Sequence, residues 1–482
     1  MEPKILPPKL KHELGLLDGT MLVAGSMIGS GIFIVSADIT RNVGSAGWLI
    51  FVWIITGFMT LTAAVSYGEL SAMFPKAGGQ YVYLKEAYNK LIAFLYGWSF
   101  FAVIQTGTIA AVGVAFSKFT AYLIPAVSED NILFGTQVSS MHFTISAAQL
   151  VSIAVIVLLT FINTQGVKSG KIIQNIFTLT KLLSLFGLII FGFLSVKGVV
   201  WQANWTNAWS MHSLNPDGSF GSLTLAAALG AIAAAMVGSI FSSDSWNNVT
   251  FIAGEMHNPK RNIGLSLFLG TLIVTVIYVS ANVMYTGVLP LHDIAAANKD
   301  RVAVAASHVI FGDLGTLVIA VMIMISTFGC NNGLIMAGAR VYYTMAKDGL
   351  FFKRTGTLNK FAVPGFGLWI QALVASILCL SGRYGDLLDM ISLVVVIFYI
   401  LTIAGIYILR IKQPNTERPY KAFGYPVLPG IYVLLGLAFC SLLLIYKPEY
   451  SRGGLIIVLI GIPIYYITKY FSKNENQTDL VS

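Results

Sequence analysis

Two apolar runs carry polar groups and glycines where a helix in hydrocarbon has least use for them. The stretch "GSMIGSGIFIV", Gly25 to Val35, places three glycines and two serines inside the first run. The stretch "GSIFSSDSWNN", Gly238 to Asn248, interrupts a later run in the same way, with Ser242, Ser243 and Asp244 suited to capping a new half-helix. Glycine in a helix interior costs roughly 0.5–1 kcal/mol relative to alanine, and serine competes for backbone hydrogen bonds, so both stretches favour unwinding. Unwinding around Met27–Gly31 frees backbone N–H groups at the start of the following half-helix, where the dipole favours a carboxylate. The freed carbonyls of the two breaks can accept from an ammonium group. One end of an amino acid fits each set. Gly25 and Gly29, four apart, also suit a helix-packing face, but that leaves the second interruption unexplained. A third feature is Lys181, at least roughly 13 Å from either end of its apolar run at 1.5 Å per residue, too deep to reach the interface and in need of a partner.

The elements that must position these groups are membrane helices. Of 482 residues 56% are hydrophobic and 11% charged, with mean hydropathy +0.77, outside the range of a soluble domain. The apolar runs predict twelve spans, approximately 16–36, 45–67, 91–117, 145–163, 172–195, 222–253, 265–288, 305–339, 366–380, 387–409, 427–446 and 453–471. The net charge of +9 is a topology signal rather than a nucleic-acid footprint. With the amino terminus inside, the inner segments hold 21 of the 30 Lys and Arg, the outer ones 8, and Lys181 stands alone. The basic connections "FPKAGGQYVYLKEAYNK", "HNPKRN", "RVYYTMAKDGLFFKR" and "KQPNTERPYKAFGYP" are expected in the cytoplasm, and neither long outer loop reads as a folded domain. Cys330, Cys379 and Cys440 all lie in apolar runs, so no disulfide framework is expected. The run after the amino-terminal tail, which holds Lys4, Lys9, Lys11 and His12, is too long for a signal-peptide core.

Paired interruptions in the first and sixth spans fit two five-span units repeated in inverted topology, the arrangement that puts a transporter's site at the membrane midplane. The fold class expected is all-α, one polytopic domain: a tail over 1–15, repeats over 16–195 and 222–409, two peripheral spans within 427–471 and a tail over 472–482, both tails cytoplasmic. At "GSMIGSGIF", "FPKAGGQYVYLKEAY", "FTLTKLL", "FSSDSWNNVTFIAGEMHNPKRN" and "FGCNNGLIMAGAR" the chain resembles the amino acid–polyamine–organocation superfamily, most of all its L-type amino-acid transporter branch. The resemblance implies that Ser26, Ser30 and Gly31 bind a substrate α-carboxylate and that carbonyls of Met27, Phe241 and Asp244 accept the α-ammonium. It implies an aromatic gate at Phe241, joined by Trp246, and cavity-lining positions at Asn247, Asn282 and Tyr285. It further implies that Lys181 takes the place of the sodium ion of coupled relatives, bonding first-span carbonyls such as that of Gly25 and the hydroxyl of Ser326.

The function implied is sodium-independent amino-acid transport or exchange by alternating access, for neutral L-amino acids, in the plasma (inner) membrane. The alternatives are a cationic amino-acid or polyamine permease and a proton-coupled symporter. Asp244 keeps the first of these open, because it stands where many large-neutral-amino-acid carriers have glycine and either caps a half-helix or faces a cationic side chain. The loop between the third and fourth spans has no cysteine, whereas heteromeric animal members use one there, so no disulfide-linked accessory subunit is expected. Membrane enzymes lack support: there is no H-E-x-x-H or G-x-S-x-G, and "GVKSGKI" misses the spacing of a phosphate loop. A channel would need a continuous polar pore rather than two breaks and one buried charge. No cofactor or metal is called for.

Overall fold

A backbone in hydrocarbon has no partner but itself, so the apolar runs fold as helices. The computed structural model describes residues 12–138, 141–214, 220–381 and 384–478. The expected tails therefore lie partly outside the described residues, over 1–11 and 479–482, as do Lys4, Lys9 and Lys11. The first run divides into α1 (Leu16–Met27) and α2 (Gly31–Val43), bent by 41°. α3 (Ala46–Met73) opens on Ser45, whose side chain accepts from the Trp48 N–H, and the connection after it holds α4 (Gln80–Ala87). α5 (Lys90–Ser99) and α6 (Gln105–Leu123) continue one another through a π-helical turn at Phe100–Ile104. α7 (Ala147–Thr164) begins with a Ser146–Gln149 capping box, α8 (Val167–Leu194) carries Lys181, and α9 (Gly198–Trp205) is short. α10 (Leu225–Ser242) and the four-residue α11 (Asn248–Phe251) flank the second break. Then come α12 (Pro259–Val288), α13 (Leu291–Ala295), α14 (Val302–Lys347, kinked at Gly312), α15 (Gly365–Ser381), α16 (Tyr384–Lys412), α17 (Val427–Tyr446) and α18 (Arg452–Thr478).

Among the described residues ten helices are long and apolar enough to cross a membrane, or eleven with the bent α1–α2 pair, and α15 is apolar but shorter. The chain is a multi-pass membrane protein.

Three connections take a form the sequence did not indicate. The two long loops expected outside form antiparallel pairs, β1 (Ile132–Val138) with β2 (Met141–Ser146) and β3 (His212–Leu214) with β4 (Phe220–Ser222), so the described chain is not wholly helical. The β-branched and aromatic residues of "ILFGTQV" and "MHFTIS" favour a pleated pair even at the end of a helical bundle. The basic connection after α3 is not a surface loop either. Gly78 and Gly79, both at positive φ, turn the chain inward, and Tyr81, Tyr83 and Leu84 of α4 are fully buried. Tyr81 and Lys85 bond the carboxylate of Asp348 at 2.9 and 2.8 Å, and the Tyr88 hydroxyl donates to the Leu401 carbonyl.

The packing that positions the breaks is close. α1 lies against α8, α12 and α14, and α2 runs along α10. A Cβ on Gly25 would fall 2.1 Å from Nε2 of Gln174 on α8, and one on Gly29 would fall 3.1 Å from Sγ of Cys330 on α14. These glycines thus serve helix packing as well as the break.

Candidate functional site

Breaking a helix strands carbonyls, and each must find a donor. At the first break the donors come from α8 and α14. The Lys181 ammonium, 1% exposed, lies 2.6 Å from the Gly25 carbonyl, 2.7 Å from that of Ile28 and 3.2 Å from that of Ser326. Three N–H donors meet three acceptors. The contact to Ser326 runs through its carbonyl, not through the hydroxyl named in the sequence reading. The hydroxyl instead donates to the Ile28 and Gly29 carbonyls at 3.2 and 3.3 Å, because that side chain itself reaches the break. Cys330 Sγ donates to the Ser26 carbonyl at 3.0 Å.

At the second break α10 runs through Ser242, and the chain turns at Ser245, which has φ +65°. The residue before α11 is Asn247, so Ser242, Ser243 and Asp244 do not cap the new half-helix as their types suggested. Their side chains are used elsewhere: Ser242 Oγ donates back to the Gly238 carbonyl, and an Asp244 carboxylate oxygen accepts from the Tyr399 hydroxyl at 2.5 Å. The two breaks touch. A Cβ on Gly31 would fall 1.9 Å from Ser242 Oγ, so only glycine lets α2 start here. The Tyr278 hydroxyl on α12 lies 2.9 Å from the Met27 carbonyl and 3.0 Å from that of Ser242, bridging both breaks. Sequence reasoning passed over Tyr278; the available signal was a phenol in "VTVIYVSANV", whose hydroxyl needs a partner once buried.

The remaining candidates divide by position. Ser30 precedes α2, and its carbonyl accepts the first-turn amide of Phe33 at 3.0 Å. Ser26 presents a buried hydroxyl with no partner among the described residues, 2.6 Å from where Gly333 would carry a Cβ. Phe241 is buried at the end of α10, and its carbonyl accepts the Asp244 amide at 3.2 Å. Trp246 is wedged between Tyr67 and Tyr399, with ring centroids 4.7 and 5.1 Å away. Asn247 donates to Gln80 Oε1 at 2.9 Å, and Gln80 in turn donates to Thr402. Asn282 and Tyr285 lie beside α2 rather than at a break: Asn282 accepts from Ser36 and donates to the Tyr278 carbonyl, and Tyr285 donates to the Ile32 carbonyl at 3.4 Å.

Two small cavities flank Asp244. One is bordered by Gln80, Gln105, Asn247 and Tyr399, the other by Thr56, Thr60, Trp246 and Tyr432. They leave about 10 and 20 Å³ for the centre of a water molecule, room for one or two waters, so an amino acid enters only if side chains shift. Among the described residues Asp244 is the only charged one lining either, and no cluster of metal-ligating side chains occurs.

The sequence profile of the family described as Amino acid permease matches residues 14–467. The chain is 29% identical to the Large neutral amino acids transporter small subunit 2 of Homo sapiens over 96% of this chain and 81% of that protein. It is 28% identical to the Serine/threonine exchanger SteT of Bacillus subtilis (strain 168), over 95% of this chain and 97% of the other. It is also 28% identical to the Asc-type amino acid transporter 1 of Mus musculus, over 95% and 81%. The profile covers both breaks, Lys181 and Ser326 in a single stretch, and the chain belongs to the amino acid permease family of the amino acid–polyamine–organocation superfamily.

Proposed function

We propose that the protein is a secondary amino-acid exchanger that works by alternating access without sodium, with neutral L-amino acids as its first substrate class. The observation that carries this reading is Lys181: a cation fixed by the chain already bonds the carbonyls of the first break, the role a coupled ion would otherwise fill. Ser26, Ser30 and Gly31 receive the α-carboxylate, and the carbonyls of Met27, Phe241 and Asp244 receive the α-ammonium. Phe241 closes over the substrate with Trp246 beside it, while Asn247, Asn282 and Tyr285 line the path. The architecture proposed is twelve spans, two inverted five-span repeats over 16–195 and 222–409 with two peripheral spans, in the plasma membrane with both termini cytoplasmic. The protein is a carrier and not an enzyme, and it works without a disulfide-linked accessory subunit.

A cationic substrate is the second reading, and Asp244 favours it: a buried carboxylate without a Lys or Arg among the residues lining its cavities suits a cationic side chain. Proteoliposome uptake of labelled leucine, serine, lysine and arginine, with and without a sodium gradient, tests both. Saturable uptake indifferent to sodium and accelerated by amino acid on the far side is the expected result. Uptake that rises steeply with the sodium gradient defeats the reading.

A further inference from the structure

Met27 offers one carbonyl oxygen with two lone pairs, and both are used. The Gly29 N–H reaches it at 2.8 Å and the Tyr278 O–H at 2.9 Å. An ammonium group that bonds this oxygen must therefore displace one of the two donors. The Gly29 amide is fixed by the backbone of the break. The Tyr278 hydroxyl is not: it rotates about one bond, and its second acceptor, the Ser242 carbonyl, is 3.0 Å away. The phenol carries a single proton, so it holds both carbonyls only by sharing that proton between them. Its ring is seated edge-on against Trp53, centroids 5.2 Å apart, which fixes where the hydroxyl can reach.

We infer that Tyr278 is a positioning residue that clips the two breaks together, and that a substrate ammonium arriving at Met27 releases the clip by taking over that acceptor. This rests on the assignment of the Met27 carbonyl to the α-ammonium. The consequence is a rule for turnover. With the clip closed, α1–α2 and α10–α11 are tied through one atom on α12, in addition to the Gly31–Ser242 contact, and separate only together. With substrate bound, the hydroxyl belongs to Ser242 alone, and the first break moves with its ligand. The loaded carrier reorients and the empty one is held, so Tyr278 enforces exchange over net transport.

The test compares efflux of labelled amino acid from proteoliposomes into buffer with saturating unlabelled amino acid and into buffer with none. Tyr278→Phe keeps the ring on Trp53 and removes only the hydroxyl. Net efflux should rise relative to exchange by about two- to tenfold, the change that one net hydrogen bond supplies. Trp53→Phe keeps the hydroxyl but loosens the seat that aims it, and its ratio should shift in the same direction by a smaller factor. A merely structural role would lower both fluxes and the melting temperature together and leave the ratio unmoved. A second arm uses wild-type protein alone. The 2-hydroxy acid analogue of the substrate, which keeps the carboxylate and side chain but lacks the ammonium, should compete for binding without accelerating efflux. Acceleration equal to that by the amino acid overturns the clip, as does an unchanged ratio in folded Tyr278→Phe. If wild-type protein moves no amino acid at all, the functional reading falls and the clip with it; amino-acid flux with an unaltered ratio defeats the clip alone.

Discussion

Lys181 joins the two kinds of information in this chain. Its depth in an apolar run was plain from the sequence, and so was its need for a partner. That its partners are three carbonyls, and that Ser326 contributes its backbone there while sending its hydroxyl to Ile28 and Gly29, depends on where α8 and α14 lie against the break. Replacing Lys181 by alanine leaves those carbonyls short of a donor, and apparent affinity should fall by about 1–3 kcal/mol, the cost of an unpaired buried polar group. The concentration dependence of uptake in sodium-free buffer measures it; wild-type affinity in Lys181→Ala would remove the lysine from the mechanism. Asp244 is the converse case. Its residue type suggested a cap, and the structure gives its carboxylate to Tyr399 instead, because the turn at Ser245 carries the start of α11 past it. Asp244→Asn should selectively lose lysine and arginine transport if the carboxylate meets a cationic side chain. Equal loss for leucine in the same uptake panel would assign it to the α-ammonium, and no loss would take it out of the site. Phe241→Ala should cripple exchange more than the lost packing of this buried ring lowers the melting temperature, because a gate must close over substrate before the inner path opens.

The broken helices were the elements most legible in the sequence, since glycine and serine clusters in apolar runs have few other uses. Their mutual contact was not, because nothing local links Gly31 to Ser242. Gly31→Ala puts a methyl group into Ser242 and should cost about 1–3 kcal/mol as overpacking, read as a lowered melting temperature together with lost exchange. The same holds for Glu255 and Arg340, which the sequence shows only as two charges near span ends. They form an ion pair with side chains 0% and 1% exposed at 2.9 Å, joining the segment after α11 to α14. Removing one partner leaves an uncompensated buried charge. Arg340→Met should destabilise the protein by about 3–5 kcal/mol, and the double variant Glu255→Leu with Arg340→Met should recover much of that in a thermal melt.

At the scale of the whole molecule, composition and the spacing of apolar runs made the membrane class and nearly every long helix readable. The hairpins and the inward turn of α4 were hidden, since both lie in polar connections whose course depends on the bundle beneath. The proposed topology puts His212 and Lys260 on opposite sides. Single cysteines at these positions should react with a membrane-impermeant maleimide from opposite sides of sealed vesicles, against a quiet background, because all three native cysteines are buried. Labelling from the same side would overturn the topology. α4 carries a further consequence. Its leading turn is attached to α11, with the Gly78 amide donating to the Phe251 carbonyl at 3.1 Å, while at the other end of α3 the Gly47 amide donates to the Ala208 carbonyl at 2.9 Å. If the carrier opens at one end of α3 as it closes at the other, these two amides are natural clocks of opposite phase. Conditions that hold the inner path open should quicken deuterium uptake at Gly78 and slow it at Gly47, so that isotope exchange at these two amides reports which way the protein faces.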